Sequence, residues 1–279
     1  MKHGRTRRLA AVLIAALALT AGGCGRKVQQ VPGLDALGSI QAITREDSSG
    51  TRAAFDDLAG IDSEAQTLTG AGSTAEVLQE VAGSGSAIGY LTLSSADSTV
   101  RVLSVDGRSP EDPKYPLVRT LYLAYKGEPD DLEREFLTYV TGSGQSIVGR
   151  QFETVGSEET FLSLKPGGTL RIGGSSSEAP VMEELAQAYM QLNPNADITV
   201  ETTDSGTGIN SALSGDYDLG MCSRNPKDYE KTLLTFVPVA KDRIAVIVQE
   251  GHPLSDITTG QLQEIYSGKI TEWKQLNGE

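Results

Sequence analysis

The stretch Ile43-Thr44-Arg45-Glu46-Asp47-Ser48-Ser49-Gly50-Thr51-Arg52-Ala53-Ala54-Phe55 runs from a strand-like segment, through small hydroxylated residues, into a helical pattern. A second stretch of the same kind, Gly173-Gly174-Ser175-Ser176-Ser177-Glu178-Ala179-Pro180, lies in the other half of the chain. Each loop sits just before a helix, so its hydroxyls and backbone N–H groups converge where a helix N-terminus already favours negative charge. Two such loops facing each other imply one small oxyanion held between two lobes.

Outward from these loops, strand-like and helix-like segments alternate. Ile40 to Thr44 reads as a strand, followed by a helix whose apolar face includes Ala54, Phe55 and Leu58. Ala75 to Val81 reads as a second helix, Ala87 to Leu93 and Val100 to Val105 as strands, and Tyr115 to Tyr125 as a longer extended stretch. Leu132 to Tyr139 is a helix stopped by Thr141-Gly142-Ser143-Gly144. After the polar stretch 156–168 come a strand, Thr169 to Gly173, and a helix with Pro180 in its first turn, ended by Asn193-Pro194. Ile198 to Thr203 and the wholly apolar Ile244 to Val248, extended to Gln249, read as further strands. This alternation predicts α/β lobes with a ligand at the carboxyl ends of strands.

The segment Ile43 to Phe55 resembles the arginine and Ser-Gly-Thr motif of the phosphate-binding proteins that feed phosphate ABC transporters. Other stretches resemble the same family: Gly173 to Pro180, Asp204-Ser205-Gly206-Thr207-Gly208-Ile209, Asp218 to Arg224, Ile244 to Val248, Gly268 to Trp273, and Ala87 to Tyr90. The resemblance implies an α/β, two-lobed, periplasmic-binding-protein-like (type II) fold with the ligand in the cleft. The order of the segments differs from the family's pattern, because the part resembling the family's second half comes first. The reading is therefore a circular permutant, which compact domains tolerate because their termini lie close together at the surface. On that mapping, residues 37–99 and 243–279 assemble one lobe from both chain ends, and residues 100–242 form the other as a contiguous unit.

The N-terminus has its own chemistry. Lys2, Arg5, Arg7 and Arg8 precede an apolar run, Leu9 to Ala21, that is short for a membrane span. Residues 1–23 read as a lipoprotein signal peptide ending at Ala21-Gly22-Gly23-Cys24, with Cys24 as the lipidation site and 24–36 as a polar tether. Removing those four cations from the 24 basic residues leaves 20 against 37 acidic ones, a net charge of −17. Such a surface repels nucleic acid, so an anion must be captured by a local constellation and not by a long-range field. Besides Cys24 the chain has Cys222 alone, which excludes an intrachain disulfide framework, and beyond His3 it has His252 alone. A catalytic triad or a histidine-rich metal site finds no support, nor does a GxxxxGK[ST] nucleotide loop. No enzyme activity, cofactor or metal is expected.

The family's motif implies a ligand shell of Arg45, Ser49, Gly50, Thr51, Ser176, Ser177, Ser205 and Ser223. Arg45 supplies the cation, since a planar guanidinium grips two oxygens at once. Singly, each serine also fits a helix cap or a turn. Arg52 is expected in an exposed ion pair with Asp56, and Arg224 follows Ser223 where some relatives carry a carboxylate that accepts the proton of hydrogen phosphate. Asp204 and Asp47 are candidate replacements for that carboxylate. Trp273 is expected to pack and not to stack on a ligand. The resemblance thus implies a lipid-anchored, monomeric receptor on the extracytoplasmic face of the cell membrane, taking inorganic phosphate to the permease subunits of an ABC transporter. The alternatives are the same fold tuned to sulfate or molybdate, and a non-transport surface scaffold or sensor.

Overall fold

The computed structural model describes residues 31, 33–62, 68, 70–157 and 160–277. The expected signal segment, Cys24 and most of the tether lie outside the described residues. The strand Thr235–Gln249, 15 residues long, ties the fold together. Its first part pairs antiparallel with Val118–Tyr125, from Thr235 opposite Tyr125 to Arg243 opposite Val118. Its second part pairs with Ala87–Thr92, from Ile244 opposite Thr92 to Val248 opposite Ile88. Periodicity alone gave this strand as Ile244 to Gln249, because Pro238 and the charged run Lys241-Asp242-Arg243 interrupt the apolar pattern ahead of it. Pro238 is accommodated at a bulge, where the register shifts between Pro238 and Ala240 and a missing backbone donor costs least.

From that strand the sheet extends both ways. On one side lie Ala87–Thr92 and then Gln41–Ala42; on the other lie Val118–Tyr125, Leu219–Cys222, Gly168–Ser175 and Ala196–Thr203. Gly168–Ser175 runs parallel to both of its neighbours, so its carboxyl end opens directly into the helix Ala179–Leu192. Helices pack on the strands of both wings, Thr74–Ala82 against Ala87–Thr92 in one, and Ala179–Leu192 against Ala196–Thr203 with Ser205–Ser214 against Leu219–Cys222 in the other.

Buried side chains form separate clusters in the two wings. The first is built around Phe55, Tyr90, Val246, Tyr266 and Trp273, with Phe55 stacked on Tyr90 at a centroid distance of 3.9 Å. The second gathers Leu121, Leu123, Phe136, Met182, Leu185 and Leu219. Aromatic side chains of this size each contribute about 1.5–3 kcal/mol when fully buried, which lets each wing act as its own lobe. Trp273 is buried in the first cluster and donates its indole N–H to Ser86 O at 3.0 Å, a packing role.

The lobe boundary differs from the sequence expectation. Val100, Leu103, Val105, Tyr115 and Leu117 all pack in the first lobe, and Val100–Val102 pairs with the Ile247–Gln249 end of the long strand. Residues 100–117 therefore belong with 37–99, and the first crossing falls near Val118 rather than near residue 99. The second crossing falls at Asp242–Ile244, where the long strand exchanges Val118–Tyr125 for Ala87–Thr92 as its partner.

The two ends of the described chain meet in the first lobe. Ile40 donates to Thr271 O at 2.8 Å, Trp273 to Gly38 O at 3.0 Å, and the Asn277 amide bonds to both Val31 O and Val31 N. A rearranged chain running from Gly168 to Glu279, then through a short Gly/Ser linker to Leu37 and on to Val155, should fold with stability within about 1 kcal/mol, since closing a short surface loop changes little. Urea titration measures this; a chain that stays unfolded would show that the present order is needed for folding.

Candidate functional site

Four helices point their N-termini at the gap between the lobes. Gly50–Ala59 and Thr74–Ala82 come from the first lobe, capped by Ser49 and Ser73; Ala179–Leu192 and Ser205–Ser214 come from the second. Each brings unpaired backbone N–H groups and the positive end of a helix dipole. Their first-turn hydroxyls touch across the gap. Thr51 Oγ1 lies 2.8 Å from Ser177 Oγ, and Thr74 Oγ1 lies 3.2 Å from Ser176 Oγ and 3.4 Å from Ser177 Oγ. Gly206 N–H donates to Ser48 O at 3.1 Å.

The contact is close enough to demand glycine at one position. A Cβ placed on Gly50 would stand 2.2 Å from Ser205 Oγ and 2.7 Å from Ser223 Oγ. Those two hydroxyls are themselves 3.2 Å apart, and Ser223 N–H donates to Ser205 Oγ at 3.0 Å. All eight residues singled out from the motifs, Arg45, Ser49, Gly50, Thr51, Ser176, Ser177, Ser205 and Ser223, thus come together at one inter-lobe locus. Ser49 is partly committed already, because its hydroxyl accepts from Arg52 N–H as a helix cap.

Arg45 is 2% exposed and faces this locus, with Nη2 3.4 Å from Ser176 Oγ and Nη1 3.3 Å from Thr74 Oγ1. Its charge is shared with Glu46, whose carboxylate takes Nε and Nη2 at 2.8 and 2.6 Å. Arg52 differs from its expectation as an exposed residue. It is buried, donating to Arg45 O and Asp47 Oδ1, with Asp56 Oδ2 at 3.7 Å, so it stiffens the loop that carries Arg45. Arg224 is held bidentately by Glu230 at 2.8 and 2.7 Å and is a structural strut.

The cation that sequence reasoning missed is Arg119. It stands on the crossing strand Val118–Tyr125, is buried, and donates Nη1 to both Thr51 Oγ1 at 2.8 Å and Ser223 O at 3.0 Å. Its other side meets Asp242, directly opposite in the sheet, through Nε at 2.8 Å. Nη2 approaches the same carboxylate at 2.7 Å without a hydrogen bond of normal geometry, leaving a buried donor unmatched. One signal was available: an arginine followed by Thr120-Leu121-Tyr122-Leu123-Ala124 in a strand otherwise fit for burial needs an acid or an anion.

Two acids considered as proton acceptors are already occupied. Asp204 caps its own helix, taking Thr207 N–H at 3.0 Å and Thr207 Oγ1 at 2.7 Å, and the exposed Asp47 holds Arg52. The described residues hold no cluster of three potential metal ligands. His252 is buried in the first lobe, accepting Leu254 N–H on Nδ1, and burial pushes it down to about 4, so it is neutral at physiological pH. Helix dipoles, many hydroxyl and amide donors and two guanidinium groups make this locus suited to binding a compact anion rather than to transferring protons.

The family model for the PBP superfamily domain matches residues 29–143 and 162–279. The chain belongs to the PBP superfamily. Within it, two relatives cover nearly their full lengths. Phosphate-binding protein PstS 2 of Streptococcus agalactiae is 33% identical over 86% of this chain and 88% of its own. Phosphate-binding protein PstS 2 of Streptococcus pneumoniae is 32% identical over 99% of this chain and 100% of its own. The crystal structure of the phosphate-binding protein of a phosphate ABC transporter from Streptococcus pneumoniae superposes with a TM-score of 0.69 at 32% identity, covering 86% of this chain and 100% of that one. These matches place the chain in the PstS-like branch, with the type II PBP fold.

Proposed function

We propose that this protein is an extracytoplasmic solute-binding lipoprotein that captures inorganic phosphate between its lobes and hands it to the permease subunits of an ABC transporter. The observation that carries the reading is the convergence of four helix N-termini with Arg45 and Arg119 at one buried inter-lobe locus. A phosphate dianion binds without its hydration shell only where many donors and a cation replace the lost water, which is the composition of this locus. The names of the relatives support the same ligand class. Anchoring through Cys24, a monomeric state and the absence of catalysis are parts of this proposal, resting on the signal pattern, the two-lobed design and the commitment of Asp204 and Asp47 to other partners.

A second reading, the same fold taking sulfate or molybdate, is favoured by Ser223, which stands where some relatives have a carboxylate and cannot reject a fully deprotonated anion by charge. Calorimetry on the protein lacking residues 1–24 separates them: one phosphate per chain is expected, and saturation by sulfate without heat from phosphate would favour the second reading. Arg45→Ala should lower phosphate affinity by at least about tenfold, the loss of one charge-assisted hydrogen bond. Unchanged affinity in that variant would remove Arg45 from the ligand shell.

A further inference from the structure

Glu178 is the least satisfied group at this locus. It stands at the start of the helix Ala179–Leu192, is 0% exposed, and neither carboxyl oxygen has a hydrogen bond of normal geometry, the Cys222 backbone being its nearest partner. An ionised carboxylate in that state carries the full cost of desolvation, whereas a neutral acid carries far less. In sequence it follows Ser177, and in space its carboxyl lies beside the Cys222 backbone, one residue before Ser223. It is therefore bracketed by two residues of the inter-lobe hydroxyl network.

The charged and titratable groups that face it are Arg119, Asp242 and Cys222. Arg119 is a single cation serving two buried acids, and Asp242 holds it through Nε while also accepting Thr92 Oγ1 at 2.7 Å. Burial raises both acids, but the Thr92 hydroxyl, Arg119 and the Arg243 backbone all hydrogen-bond to Asp242, whereas Glu178 has the Cys222 backbone as its one hydrogen-bonding neighbour. Cys222 is a neutral thiol, since burial pushes it up to about 11. The geometry thus sets two buried carboxyls around one arginine, with Asp242 holding the greater share of the hydrogen bonds.

We propose that Glu178 is a neutral carboxylic acid on the floor of the cleft, and that its O–H is a hydrogen-bond donor to the bound tetrahedral oxyanion. This rests on the phosphate reading above and extends it, giving the cleft an acid where Ser223, Asp204 and Asp47 supply none. An anion beside Glu178 favours the protonated form further, by like-charge repulsion, so binding draws a proton wherever the empty cleft has lost it.

The test pairs two measurements on the protein lacking residues 1–24, with inorganic phosphate as probe. Carbon NMR of glutamate-carboxyl-labelled protein at pH 7 should show one carboxyl with the shift of a neutral acid, absent in Glu178→Gln and displaced by phosphate. Calorimetry in buffers of different ionisation enthalpy, from neutral to alkaline pH, should show up to about one more proton taken up on binding by the unaltered protein than by Glu178→Gln. Glu178→Gln keeps a neutral donor and should bind at pH 7 within about threefold, while Glu178→Ala should lose about tenfold. Phosphate binding with identical proton uptake in both proteins, or a spectrum of the unaltered protein with every glutamate ionised, would overturn the proposal alone. Failure of the unaltered protein to bind phosphate at all would overturn the functional reading and this proposal with it. The spectrum of the unaltered protein decides the protonation state even where a variant does not fold.

Discussion

Replacing Arg119 with methionine is expected to abolish measurable phosphate binding and to destabilise the protein by about 3–5 kcal/mol, the usual cost of stripping one partner from a buried ion pair. Asp242 would be left as a buried carboxylate holding neutral donors, the Thr92 hydroxyl and the Arg243 backbone, and no cation in hydrogen-bond contact. On the cleft side, Thr51 Oγ1 and Ser223 O would lose the donor that links the two lobes at the hinge. Urea unfolding and calorimetry read the two effects separately. Adding Asp242→Asn to the same chain should recover most of the stability, because the orphaned charge is gone, and none of the binding. Near-native affinity in Arg119→Met would mean that Arg119 is a strut of the crossing strands and not a cation of the cleft.

Gly50→Val is expected to lower phosphate affinity by at least about a hundredfold, roughly 2.7 kcal/mol, with little change in melting temperature. The reason is steric and confined to the closed arrangement. A Cβ at residue 50 meets Ser205 Oγ at 2.2 Å and Ser205 Cβ at 2.8 Å, inside van der Waals contact, and a valine adds two methyl groups beyond it. Ser205 cannot simply rotate away without surrendering the bond it accepts from Ser223 N–H. Within its own lobe, however, residue 50 begins a helix in ordinary backbone geometry, so valine there leaves the first lobe's core untouched. Small-angle scattering should show a protein that no longer compacts when phosphate is added. A valine variant that binds normally would mean that the lobes need not approach this closely to hold the ligand.

Local chemistry made much of the site legible in the chain. Ser49 reads as a helix cap from its place before Gly50-Thr51-Arg52, Pro180 reads as a first-turn residue, and the Ser-Gly-Thr loops read as anion loops, because each of these depends on neighbours within a turn or two. The α/β alternation followed for the same reason, from periodicities that are properties of single elements, while the two-lobed class came from the resemblance of the loops to the phosphate-binding family. What the chain could not disclose were pairings between distant residues. Arg119 and Asp242 are opposite one another across a sheet only because two crossing strands share a register, and the same register moved the boundary from residue 99 to Val118. Glu178 looks like an ordinary first-turn acid in sequence. Its isolation, beside one arginine already claimed by Asp242, exists only once three strands and a helix have closed around it, since desolvation is set by everything that packs nearby and not by the residues on either side.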